Sequence, residues 1–159
     1  MPIEPTRVTL ERRDHILFIG LNRVDKRNAA DLAMLSELAL AYGELDRDPD
    51  LRVGVVFAHG DHFTAGLDLA DVGPSMAKTG GLPLPEGGLD PWGISSAQVS
   101  KPVVMAIQGI CFTLGVELAR EQQRIHEREH GTRPVFVLGH HRDDAGDGEE
   151  RADAFRGEE

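Results

Sequence analysis

Two short segments of this chain combine turn-forming glycines with groups that can bind or move a proton. The first is Phe63-Thr64-Ala65-Gly66-Leu67-Asp68-Leu69, which follows an apolar run. A glycine between a strand end and a helix start lets the backbone turn sharply. The N–H groups freed by such a turn can bind an anion or polarise a carbonyl. The second segment, Gln108 to Ala119, repeats this design with Gly109 and Gly115 and adds a carboxylate, Glu117, in what should be the first helical turn. Two such turns can aim two N–H groups at one oxygen, which is an oxyanion hole. Each feature also has a plainer reading. Gly66 and Gly115 suit ordinary turns, and Glu117 suits a helix N-terminus, where the dipole favours a negative charge. A third motif, His126-Glu127-Arg128-Glu129-His130, fits H-E-x-x-H, with Glu150 as a third zinc ligand. Its x positions are charged and its flanks polar, so a chance match is the better reading and no metal is expected.

The elements that position these segments follow from hydrophobic spacing. Val8 to Leu10 and Ile16 to Leu21 are short β-favouring runs around a polar stretch, which predicts a hairpin. Leu32, Leu35, Leu38, Tyr42 and Leu45 recur at helical spacing, with Asn28 or Asp31 as the cap. Val53 to Ala58 is a continuous apolar run, predicting a strand covered on both faces. A short helix is expected from Asp68 to Val72, and one long loop over the Gly- and Pro-rich stretch Gly73 to Gly93. Val103 to Ile107 reads as a buried strand and Phe112 to Ala119 as the start of a helix. Cys111 reads as a small core residue, and His59 and His62 as surface residues. This order is that of an α/β protein.

Composition bounds the function. The 159 residues carry a net charge of −10, which argues against nucleic-acid and anionic-membrane partners. The single cysteine excludes an intrachain disulfide and a four-cysteine zinc site. With no long apolar run and no signal-peptide core at the N-terminus, a soluble, cytoplasmic protein is expected. The charge is unevenly spread. Residues 120–159 contain seven arginines, no lysine, eleven acids and one apolar cluster, Val135 to Leu138. So few apolar groups cannot offset the ordering entropy of the segment. The expected division is a folded body over 1–119 and a charged, largely disordered tail over 120–159, with the helix continuing to about residue 130.

Taken in order, Leu21-Asn22-Arg23, Asp25-Lys26-Arg27-Asn28-Ala29, Phe63 to Leu69, Lys101-Pro102 and Gly109 to Ala119 resemble the crotonase superfamily of enoyl-CoA hydratases and isomerases. The resemblance covers residues 8–119 and implies the ββα spiral core of that family. It implies that the N–H groups of Leu67 and Leu114 form the oxyanion hole for an acyl-CoA thioester, and that Glu117 is the first catalytic glutamate. Lys26, Arg27, Ala29, Ala65, Gly66 and Asp68 would lie along the coenzyme A, which is part of the substrate; no separate cofactor is implied. Residues 73–93 match the variable region around the acyl group. The implied reaction is hydration or double-bond isomerisation in fatty-acid or related acyl-CoA metabolism, and the implied assembly is a homotrimer or hexamer. Thr113 and Leu114 replace glycines frequent in the family, and Val137 stands where a second catalytic glutamate belongs. The pattern stops after Ala119, as though the reading frame shifted there, so a C-terminally truncated core is expected. The alternatives are a catalytically inactive fragment and, more distantly, a zinc hydrolase using His126, Glu127 and His130.

Overall fold

The computed structural model describes residues 6–81, 84–130 and 137–138, with 123–130 and 137–138 described as backbone alone. Strand β1 (Val8–Arg13) turns through Asp14 into β2 (Ile16–Leu21), and the two pair antiparallel as the sequence predicts. Helix α1 (Leu32–Arg47) leads to β3 (Val53–Ala58), which pairs parallel with β2. Helix α2 (Leu69–Thr79) then leads to β4 (Val103–Ile107), parallel to β3. Helix α3 (Leu114–His130) precedes β5 (Val137–Leu138), which pairs parallel with Ala106 and Ile107. The sheet order is β1-β2-β3-β4-β5. Among the described residues, no helix is long and apolar enough to cross a membrane.

Helix α1 starts where its cap dictates. The Asp31 carboxylate accepts the Met34 N–H at 2.8 Å, while Asn28 lies outside the helix and serves a different purpose. Leu35, Leu38, Tyr42 and Leu45 are buried as expected, with Met34, Ala39 and Ala41 beside them, while Leu32 is only half-buried. Met34, Leu35, Leu38, Ala41, Tyr42 and Leu45 share one core with Leu17, Ile19, Leu21, Val56, Ala58 and Met105 of the sheet, and Leu32 packs against it. Fully burying a large aliphatic side chain contributes about 1.5–3 kcal/mol, so this face is what fixes α1 on the sheet.

Three expectations need correction. Strand β3 is not covered equally on both faces: Gly54, Val56 and Ala58 are buried, whereas Val53, Val55 and Phe57 are half-buried. The more open face carries rings beside polar groups, with Phe57 edge-on to His59 and the Arg13 guanidinium over Phe18. Helix α2 runs to Thr79, through the stretch read as loop. Gly73 and Pro74 disguise it, but burying Val72 anchors it, and Gly80 closes it in the left-handed conformation at φ 72°. His59 and His62 are half-buried and bonded: His59 Nε2 lies 2.8 Å from Thr9 Oγ1, and the Ile110 N–H donates to His62 Nδ1. In the segment read as a charged tail, α3 reaches His130 as expected, and two residues of the apolar cluster form β5. The expected disorder of residues 131–136 and 139–159, and Glu150, lie outside the described residues.

Candidate active site

The parallel strands β2, β3 and β4 end at one edge of the sheet, and the loops leaving those ends form the site. Ligand sites of parallel α/β sheets commonly lie at this edge. The loops are themselves paired. Beyond β3 and β4, the Thr64 N–H donates to Ile110 O at 3.1 Å and the Phe112 N–H to Thr64 O at 3.0 Å. Beyond β2, the Ala30 N–H donates to Gly66 O at 2.8 Å and the Asp68 N–H to Ala30 O at 2.9 Å. Parallel pairing thus continues past the strands as single bridges, Ala30 with Leu67 and Thr64 with Cys111. It sets the turns containing Leu67 and Leu114 side by side.

Glycine is required at both turns. Gly66 has φ 96°, and a Cβ there would come within 2.7 Å of Thr113 Oγ1. A Cβ on Gly115 would meet Thr64 Cγ2 at 2.6 Å and Cys111 Sγ at 2.8 Å. Side chains at either position would force the turns apart. Cys111 packs against the core, and its burial pushes the thiol pKa up, as suits an inert core thiol.

Buried polar groups brace the first turn. Asn28 is 1 % exposed, and its amide donates to His59 O and His62 O at 2.9 and 2.8 Å. The Thr64 hydroxyl donates to Asn28 O at 2.6 Å. Arg23 donates to Asp68 Oδ2 at 2.8 Å and pairs with Asp31 at 3.1 Å. That hydrogen bond from Arg23 holds the Asp68 carboxyl below the usual carboxylate range.

A cavity of about 330 Å³ opens between these turns, α1, α2 and the segment 84–95. Leu67, Leu114 and Glu117 all line it, together with Leu35, Ala39, Met76 and Trp92 among others. Neither the Leu67 nor the Leu114 N–H donates to any described residue. Glu117 lies in the first turn of α3, where the sequence places it, and is exposed. Asp90 also lines the cavity, but its carboxylate already accepts the N–H groups of Trp92, Ile94 and Ser95.

The other residues expected at the site lie around it. Ala29 and Ala65 are half-buried, and Gly66 is buried within the first turn. Lys26 and Arg27 are exposed; Arg27 lines a separate cleft of about 200 Å³ with Val24, Asn28, His59, Asp61 and His62. The side chains of His126, Glu127 and His130 lie outside the described residues, and no metal-binding group occurs among those described. Sequence reasoning missed Asp90, Trp92 and the α1 residues Leu35 and Ala39. The available signal was a lone tryptophan beside an Asp-Pro turn.

The comparisons agree with this architecture. The family model for enoyl-CoA hydratase/isomerase matches residues 11–121, so the chain belongs to that family, within the crotonase superfamily. It is 30% identical over 113 residues to the enoyl-CoA hydratase EchA19 of Mycobacterium tuberculosis, an alignment covering 69% of this chain and 41% of that protein. It is 33% identical over 127 residues to the mitochondrial Delta(3,5)-Delta(2,4)-dienoyl-CoA isomerase of Mus musculus, covering 72% and 38%. Among solved structures, a probable enoyl-CoA hydratase/isomerase from Mycobacterium abscessus superposes with a TM-score of 0.68 at 49% identity, covering 71% of this chain and 43% of that one. The chain therefore spans about two fifths of the length of these relatives.

Proposed function

We propose that the chain binds an enoyl-CoA thioester and shifts its double bond or adds water across it. Glu117 is the proton-transferring group, and the N–H groups of Leu67 and Leu114 hold the thioester oxygen. The observation that carries this reading is that Leu67 and Leu114, whose N–H groups donate to no described residue, line a single, mainly apolar cavity together with Glu117. Taking a proton from the carbon beside a thioester drives negative charge onto the carbonyl oxygen. Two donors fixed there stabilise that charge, and losing one such donor typically costs about 2.7–4 kcal/mol. The apolar walls suit a hydrocarbon chain. Lys26 and Arg27 are assigned to the phosphates of coenzyme A, with Ala29, Ala65, Gly66 and Asp68 along its length.

Of the two reactions, the double-bond shift fits better. Glu117 takes the C2 proton of a 3-enoyl thioester, the electron pair spreads to the thioester oxygen, and the same proton returns to C4. The atoms balance with one carboxyl group and no co-reactant. Hydration asks for a second group to handle water, and Asp90, the other carboxylate on the cavity among the described residues, is occupied by three N–H donors. A second reading, binding without turnover, draws on Val137 in β5 at the place expected for a second glutamate. Calorimetric titration with 3-hexenoyl-CoA, paired with an absorbance assay for the conjugated product, separates these readings. Saturable binding to wild type and to Glu117→Gln, with conversion by wild type alone, is expected. Failure of the folded chain to bind overturns the proposal, and binding without conversion or hydration selects the second reading.

A further inference from the structure

Leu114 opens α3 at the end of the second turn, with the Gly115 N–H donating to Phe112 O and the Glu117 N–H to Thr113 O, both at 2.9 Å. Pairing with the first turn ends at the Phe112 N–H, Thr113 takes the strained φ of 31°, and Phe112 is 56% exposed. One side chain reaches Leu114 from outside the turn: the indole Nε1–H of Trp92 donates to Leu114 O at 3.3 Å. Trp92 is itself held firmly. Asp90 Oδ1 accepts the Trp92 N–H at 2.9 Å, and Oδ2 accepts those of Ile94 and Ser95 at 3.0 and 2.8 Å. The Asp90 N–H donates to Ser96 Oγ at 2.8 Å, so the segment is wound around one carboxylate. Its next residue is tied to α3, since the buried Gln122 amide donates to Pro91 O at 3.0 Å. At its start, the Leu89 N–H donates to Ala39 O of α1 at 2.9 Å.

We infer that Trp92 is a positioning residue that sets the Leu114 N–H, acting through the Leu114 carbonyl. The inference rests on the oxyanion reading of that N–H given above. The two peptide planes meeting at Leu114 share one Cα, so fixing the carbonyl of one restrains the N–H of the other. The indole ring lines the 330 Å³ cavity and also a small apolar pocket with Met34, Leu38, Phe63 and Leu118. The same ring therefore separates the core from the cavity while its N–H holds the turn. A phenylalanine would fill most of that space and leave the carbonyl with its helical partner but without the side-chain donor that fixes its direction.

The test exploits Trp92 being the only tryptophan in the chain. Biosynthetic replacement of tryptophan by benzothienylalanine exchanges that single N–H for sulfur and keeps the ring shape. Trp92→Phe is the companion variant, and thermal melting verifies that both are folded. The probe is 4-(dimethylamino)cinnamoyl-CoA, whose absorption moves to the red as its thioester carbonyl is polarised. Wild type is expected to bind it with a red shift. The benzothienyl protein should bind within about threefold of wild type, lose most of the red shift, and isomerise 3-hexenoyl-CoA with a kcat lower by roughly ten- to a hundredfold at little-changed KM. An undiminished red shift in the folded benzothienyl protein overturns the positioning role and leaves the proposed function standing. Wild type that fails to bind the probe, or binds it without a red shift, overturns the oxyanion reading and the positioning role with it.

Discussion

The two glycine turns share a design and differ in how they are held. The turn after β3 is built into the core: Phe63 is fully buried, Thr64 is buried and bonded to Asn28, and Asp68 is pinned by Arg23. The turn after β4 is half outside. Phe112 and Thr113 are exposed, Thr113 is strained, and Trp92 supplies the outside hold on Leu114. The Leu67 turn is thus fixed within the core, whereas the Leu114 turn lies at the surface with the Trp92 indole bonded to it. Damage to the first turn should be read as lost stability; under the proposed function, damage to the second should be read as lost turnover in a protein that still melts normally.

Substitutions can break this contrast or sharpen it. Phe63→Ala should cost the most, about 3–5 kcal/mol of stability by chemical denaturation, because it empties a fully buried site. A cost below about 1 kcal/mol would remove the distinction between the turns. Asn28→Ala comes next. It leaves two carbonyls without their donor, at roughly 1–3 kcal/mol for each buried group, and should depress Tm in the same assay. On the other side, Thr113→Gly should relieve the positive φ. The gain, offset by glycine's greater freedom when unfolded, is expected to be no more than about 1 kcal/mol. A large loss there would show the second turn to be as much a part of the core as the first.

The smallest effect is a pH dependence. Arg23 lowers the Asp68 pKa in the folded state, so the pair stabilises the protein above the ordinary carboxylate pKa of about 3.9. That contribution is lost as the pH falls through the lowered folded value. Asp68→Asn should therefore flatten part of the acid limb of a Tm-against-pH curve and leave acidic and neutral samples closer together. An unchanged acid limb would detach Arg23 from the stability of the first turn.

Much of this was legible in the sequence because local signals and tertiary demands agreed. The hairpin, the α1 face and the starts of both turns follow from apolar spacing and glycine placement. Glu117 falls in the first turn of α3 because nothing interrupts the pattern between β4 and that helix. The continuation of helix α2 past Val72 was hidden because Gly73, Pro74 and Ser75 read as loop residues, whereas one buried valine and a glycine cap suffice to hold eleven residues helical. The open face of β3 was hidden because an unbroken apolar run does not say what covers it. Trp92 was hidden for a different reason. Its role depends on a hydrogen bond to a residue 22 positions away, and no local pattern encodes such a contact.

Helix α2 forms one side of the cavity through Met76, yet among its residues Val72 alone is buried. This wall of the cavity is thus nearly independent of the core that keeps the protein folded. Mutations can accumulate along it at little thermodynamic penalty, each redrawing the shape of the cavity while the turns beneath stay as they are. In lineage terms, this is where descendants of such a chain would differ first.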